Sequence, residues 1–162
     1  MVVHTCLISP LIQKPSTEQS RTIYYGWTSH CHRKPYHHLF LDADYAPNLS
    51  ILLHNVETLG KTFQLGKAIL ALSSVETTPR WHISYWRPLL WSEIKRPIDM
   101  AIELQLTSRE YPYWANRKGF FTLRTGQKHG INPQAIYMLD NDGSTCHTCL
   151  ERYLKRLSWH KA

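Results

Sequence analysis

Carboxylates are scarce in this chain of 162 residues: 12 Asp and Glu stand against 19 Lys and Arg, for a formal charge of +7. A surface so short of negative charge points to a polyanionic partner, and ten histidines can add to its positive charge in mildly acid surroundings. Long apolar runs are also missing. No stretch reaches the ~18 residues that a membrane helix needs, and Met-Val-Val-His-Thr-Cys at the start lacks the basic and apolar regions of a secretory signal. The expectation is a soluble cytoplasmic protein with no membrane partner. Cysteine is limited to positions 6, 31, 146 and 149, too few and too uneven for a disulfide framework, which leaves reduced thiols or a metal site. With no internal repeat, low-complexity tract or linker, 162 residues at 43% hydrophobic content make one core.

Residues 1–21 carry Pro10, Pro15 and a polar Ser-Thr-Glu-Gln-Ser run, which predicts a flexible N-terminal arm ahead of a single domain over 22–162. Short apolar or aromatic runs predict strands over Ile23 to Trp27 and His37 to Asp42. Leu49, Leu52, Leu53, Val56 and Leu59 recur at helical spacing behind a capping Asn48, and this helix should end near Gly60. Lys67 to Ser73 and Trp81 to Trp86 read as a hairpin, and Ser92 as the cap of a helix carrying Ile94, Ile98, Ala101 and Ile102, with Pro97 weakening its first turns. Phe120 to Thr125 and Ala135 to Leu139 read as strands around a Gly-Gln-Lys-His-Gly turn. A last helix gathers Leu150, Tyr153, Leu154 and Leu157 on one face. From residue 37 to 125 the order strand, helix, strand, strand, helix, strand is that of the ferredoxin-like split βαβ unit, also used by RNA-recognition domains. The predicted class is thus α/β in the α+β sense, a partly antiparallel sheet with flanking helices.

In that topology the first and third strands are neighbours at the sheet centre and the fourth flanks the first. Asp42 and Asp44 on the first would then meet His82 on the third, with Arg124 close by. Two aspartates at i and i+2 share one side of a strand and can hold a hard divalent cation; Asp-Ala-Asp-Tyr-Ala-Pro-Asn also suits a strand end turning into a helix cap. Alternation puts His82, Ser84 and Trp86 on one side of their strand, so a His-Ser pair faces the same surface as the carboxylates.

These residues resemble the archaeo-eukaryotic primase superfamily, with an acidic Asp-x-Asp motif after a hydrophobic strand and a small-x-His motif on a later one. Here they read Leu-Phe-Leu-Asp42-Ala-Asp44 and Pro79-Arg80-Trp81-His82-Ile83. The resemblance covers about residues 37 to 128. It implies Mg or Mn on Asp42 and Asp44, an incoming nucleoside triphosphate held by His82 with Arg80, Ser84, Arg124 and Lys128, and primer synthesis or strand extension on single-stranded or primed nucleic acid. The superfamily's third motif is another aspartate, whereas Phe120-Phe121-Thr122-Leu123-Arg124 brings a basic residue to that place. Asp140 could replace it only if its strand held that position. The chain is short for a complete primase, which points to a minimal relative, one that needs a replication protein as partner, or a catalytically inactive one.

Cys31 and His32, with the Cys-x-x-Cys of Cys146 and Cys149, supply four zinc donors if two segments about 115 residues apart meet; failing that, these are partly buried thiols. His30-Cys31-His32 with Tyr111 or Tyr113 is a loose version of a rolling-circle nicking motif. A binding module without catalysis would instead use Trp81, Tyr85, Trp86, Trp91, Tyr111, Tyr113 and Trp114, interleaved with Arg80, Arg87, Lys95, Arg96, Arg109, Arg117 and Lys118, to stack bases and neutralise phosphates, although many of these aromatics must build the core.

Overall fold

The computed structural model describes residues 11–12, 23–24, 26–44, 48–75, 78–128 and 131–159. Most of the predicted arm lies outside them; within it, β1 (Leu11–Ile12) pairs antiparallel with β2 (Ile23–Tyr24). The single apolar run expected over 23–27 is divided, and β3 (Gly26–Thr28) belongs to a different ribbon.

An antiparallel four-stranded sheet carries the fold: β4 (His37–Ala43), β5 (Ala68–Ser74), β6 (Arg80–Leu89) and β8 (Gln134–Leu139), in the order β4-β6-β5-β8. The first and third strands of the predicted βαββ run are thus neighbours, but the first lies at the edge of this sheet and not at its centre, in an α+β architecture with helices α1 (Leu49–Thr62), α2 (Lys95–Glu103), α3 (Glu110–Lys118) and α4 (His147–Trp159). Asn48 caps α1 by accepting the Ile51 N–H at 3.1 Å, and the helix runs two residues past Gly60.

Strand alternation divides the core into two layers. Leu39, Leu41, Ile83 and Tyr85 share one sheet face, and the Tyr85 hydroxyl donates to the Val56 carbonyl of α1 at 2.7 Å, so α1 covers that side. On the other face Phe40, Ser84 and Trp86 lie beneath α4, whose Tyr153 ring stands 4.9 Å from Trp86 and 6.3 Å from Phe40. Trp86 is fully buried, contacts His38 at 4.9 Å, and donates its indole N–H to Ser84 Oγ at 2.9 Å. Its removal would leave a large void beneath α4. Trp86→Ala is expected to cost about 3–5 kcal/mol, read as a fall in the urea midpoint.

Three local expectations differ. Thr122–Arg124 (β7) does not form a hairpin with β8; it pairs with β3, and the His38 N–H to Ser29 carbonyl bond at 2.7 Å ties that ribbon to the start of β4. The fourth strand therefore lies near the first, tied to it through Ser29, without its own ladder to β4. Ser92 does not cap α2 but sits inside a 3-10 turn, Trp91–Glu93, whose Glu93 carboxylate accepts the Leu90 N–H at 2.7 Å. The helix α3 has no counterpart in the sequence reading. Pro112 falls in its first turn, where no N–H is required, Ser108 Oγ accepts the Tyr111 N–H, and Gly119 closes it at φ +83°.

Candidate nucleotide and metal sites

Asp42 stands directly opposite His82 in the β4–β6 ladder, with Asp42 Oδ1 3.8 Å from His82 Nε2. Asp44, one residue past the end of β4, has Oδ1 3.9 Å from an Arg80 Nη1 at the start of β6. Both carboxylates reach solvent, at 32% and 37% side-chain exposure, while His82 is buried. Burial pushes the Asp42 carboxyl above its ordinary pKa, against the pull of Arg80, Arg124 and Lys128. Asp44 is raised by burial first and then by Asp42 itself. His82 is driven down to about 3 by burial and then by Arg124, so at neutral pH its ring is uncharged and its contact with Asp42 is not an ion pair. Two adjacent carboxylates that both resist ionisation gain from a cation between them.

The remaining expected residues divide. Arg124 and Lys128 lie close enough to act electrostatically on Asp42 and His82. The Arg124 guanidinium also donates to the carbonyls of Ser73 at 2.6 Å, Gly126 at 2.5 Å and Ile131 at 3.1 Å, so it locks the loop after β7 to the end of β5. Ser84 does not reach the surface: it is fully buried, and its hydroxyl is engaged by Trp86. Alternation gave its side of the strand correctly, but α4 covers that side. Asp140 pairs with Lys67 at 3.6 Å just beyond β8, at the other end of the sheet from Asp42, and does not join the acidic pair.

A second cluster forms where the loop before β4 meets the start of α4. Cys31 Sγ lies 3.8 Å from Cys146 Sγ and 3.9 Å from Cys149 Sγ. His32 Nδ1 faces all three, at 3.3 Å from Cys149, 3.4 Å from Cys146 and 3.8 Å from Cys31. The His32 N–H adds a 3.3 Å bond to Cys149 Sγ. The sequence reading missed a second histidine: His38 is fully buried, and the ligand atoms of Cys31, His38, Cys146 and Cys149 all lie within 4.8 Å of one another. Its signal was available, since alternation along His38, Phe40 and Asp42 places it on the α4 side of β4. Cys31 is lowered to about 3, chiefly by its hydrogen bond with Cys149, whose own thiol is raised by the same contact. The cluster can hold a metal ion.

The residues of the nicking-enzyme pattern go separate ways. His32 turns to the thiols, whereas the His30 ring packs against His37 at 4.8 Å and Phe120 at 5.2 Å. The Tyr111 hydroxyl donates to the Thr122 carbonyl at 2.9 Å, and Tyr113 is exposed. Among the described residues no helix is long and apolar enough to cross a membrane. No family model, no curated protein and no solved structure matches the chain.

Proposed function

We propose that this is a primase-like domain that binds a nucleoside triphosphate and single-stranded or primed nucleic acid over the end of β4 and β6, with nucleotidyl transfer as its reaction. The observation that carries the reading is the register that sets Asp42 opposite His82, with Asp44, Arg80, Arg124 and Lys128 around them. Asp42 and Asp44 would hold Mg or Mn, which supplies charge stabilisation to the transferred phosphoryl group and the leaving pyrophosphate. Arg80 and Lys128 face the triphosphate. Arg124, pinned by three carbonyls, adds fixed positive charge, and buried His82 sets the position of Asp42. With Arg124 where a third carboxylate would assist a second metal, a binding domain without polymerase activity is the second reading.

The experiment is binding of a labelled nucleoside triphosphate with and without Mn²⁺, in the native chain, Asp42→Asn/Asp44→Asn and His82→Ala. Cation-dependent binding lost in both variants supports the site. No binding in the native chain, or unchanged binding in the variants, overturns it.

The thiol cluster, in the same proposal, holds a structural zinc. Zinc–sulfur bonds of about 2.3 Å and zinc–nitrogen bonds of about 2.0–2.1 Å at tetrahedral angles put sulfurs about 3.8 Å apart and nitrogen about 3.5 Å from each. The separations among Cys31, His32, Cys146 and Cys149 bracket those values, which favours His32 as the fourth ligand, while His38, beside Cys31 and Cys146, is the competing donor. In competition with a chelator, His32→Ala is expected to lose zinc at least tenfold more readily, while His38→Gln keeps one zinc per chain. The reverse order would make His38 the ligand.

A further inference from the structure

We infer that the outer face of α3 is a stacking ledge for the bases of a single-stranded nucleic acid that runs toward the Asp42 site. The inference rests on the proposed nucleic-acid function and supplies the strand-binding surface that the site itself does not define.

Tyr113 and Trp114 are 54% and 58% exposed, the largest values among the exposed large hydrophobic side chains described. Each offers a ring to solvent that the core does not require, because Pro112 and Ala115 on the opposite side of α3 bury the helix. Arg117, one turn on, lies over both rings, with Cζ 5.9 Å from the Tyr113 centroid and 5.8 Å from that of Trp114. Its guanidinium also donates to the Tyr113 hydroxyl at 3.1 Å, which fixes that ring at little further entropic cost. The two aromatic rings meet edge to face at 5.4 Å, so they present differently oriented surfaces.

Arg109, just before the helix, and Lys118, at its end, stand four residues from Tyr113 and Trp114 respectively, with Glu110 as the one acidic residue of the helix. Aromatic faces beside a fixed guanidinium, with two further cations close in the chain, match a strand whose bases stack and whose phosphates need neutralising. An apolar protein partner would not use the cations, and a purely acidic one would not use the rings. The ledge is also joined to the candidate site. Tyr111 stacks on Phe121 at 5.7 Å and bonds the Thr122 carbonyl, so α3 is fixed to β7, whose last residue is Arg124. Lys118 Nζ lies 5.1 Å from the Phe120 ring at the same junction.

The test is fluorescence anisotropy with labelled oligo-dT, oligo-U and an abasic strand of equal length, using the full chain. For native protein, affinity for the base-bearing strands should exceed that for the abasic strand by tenfold or more. Tyr113→Ala/Trp114→Ala should remove that difference, Trp114→Phe should keep most of it, and Arg117→Gln should weaken all strands and flatten the salt dependence. Stronger binding of oligo-dT or of oligo-U identifies the strand, and both results support the ledge. Equal affinity for abasic and base-bearing strands, unchanged affinity in the double variant, or equally tight binding of polyglutamate overturns it. Nucleotide binding with Mn²⁺ is measured on the same variants. Loss of base-dependent binding with nucleotide binding intact is the ledge's own signature. Absence of nucleotide binding with the ledge effect present removes the primase-like reading alone.

Discussion

Removing the proposed zinc with a strong chelator is expected to lower the thermal midpoint of the chain by more than about 10 °C, with loss of helical signal from α4. The cluster joins two segments 115 residues apart, and the groups it gathers are poorly placed without a cation. Three thiols within 3.9 Å of Cys31 or of His32 cannot all ionise, and the Cys146 N–H to Trp86 carbonyl bond at 2.7 Å brings the start of α4 directly onto the sheet. Metal held by deprotonated ligands in the folded chain alone adds its binding free energy to folding. This domain also has an extensive core of its own, including Phe40, Trp86 and Tyr153, so partial unpacking is expected instead of complete unfolding. Cys146→Ser/Cys149→Ser should behave like the chelated protein, and zinc should restore the chelated native chain but not the variant. Calorimetry with metal analysis checks this: a purified chain without bound metal, whose midpoint ignores both chelator and added zinc, leaves the cluster as plain buried thiols.

Much of the sheet was legible because its signals are local. The apolar run Leu39-Phe40-Leu41 ahead of Asp42, the Asn48 cap and the regular leucines of α1 each depend on a few neighbouring residues, and the split βαβ order followed from them. The meeting of Asp42 with His82 followed from that order. What failed was set by distant partners. Nothing near Thr122 says that its strand pairs with Gly26–Thr28, and nothing near Ser84 says that Tyr153 of α4 will cover it. The helix α3 was hidden by Pro112 and by aromatics whose preference for strands was overridden by burial of Ala115 and closure at Gly119. His38 was visible as a strand residue on the right face. Its place among the thiols depended on α4 docking, which the Cys-x-x-Cys spacing alone does not specify.

Asp42→Asn/Asp44→Asn is expected to reduce cation-dependent nucleoside triphosphate affinity about 100-fold or more while leaving the fold as stable as the native chain, or more so, when no cation is present. The two effects have opposite signs for one reason. Both carboxyls have pKa values raised above the ordinary carboxylate range in the folded chain, by burial and, for Asp44, also by its neighbour. The folded state therefore holds these protons more tightly than the unfolded state. Ionisation above the raised values disfavours folding, and that penalty is relieved as pH falls through them. Amides remove the penalty, whereas a bound cation compensates it. Mn²⁺ should accordingly raise the thermal midpoint of the native chain and not that of the variant. The affinity of the native chain for Mn²⁺-nucleotide should fall as pH is lowered from neutral through the raised carboxyl values, because protons compete for the same oxygens. His82, held down to about 3, remains neutral through most of that range and leaves the carboxylates to set the profile. Calorimetric titration together with thermal melts separates this account from a structural one: a variant that melts well below the native chain yet binds nucleotide normally would assign the aspartates to capping and turn formation at the end of β4.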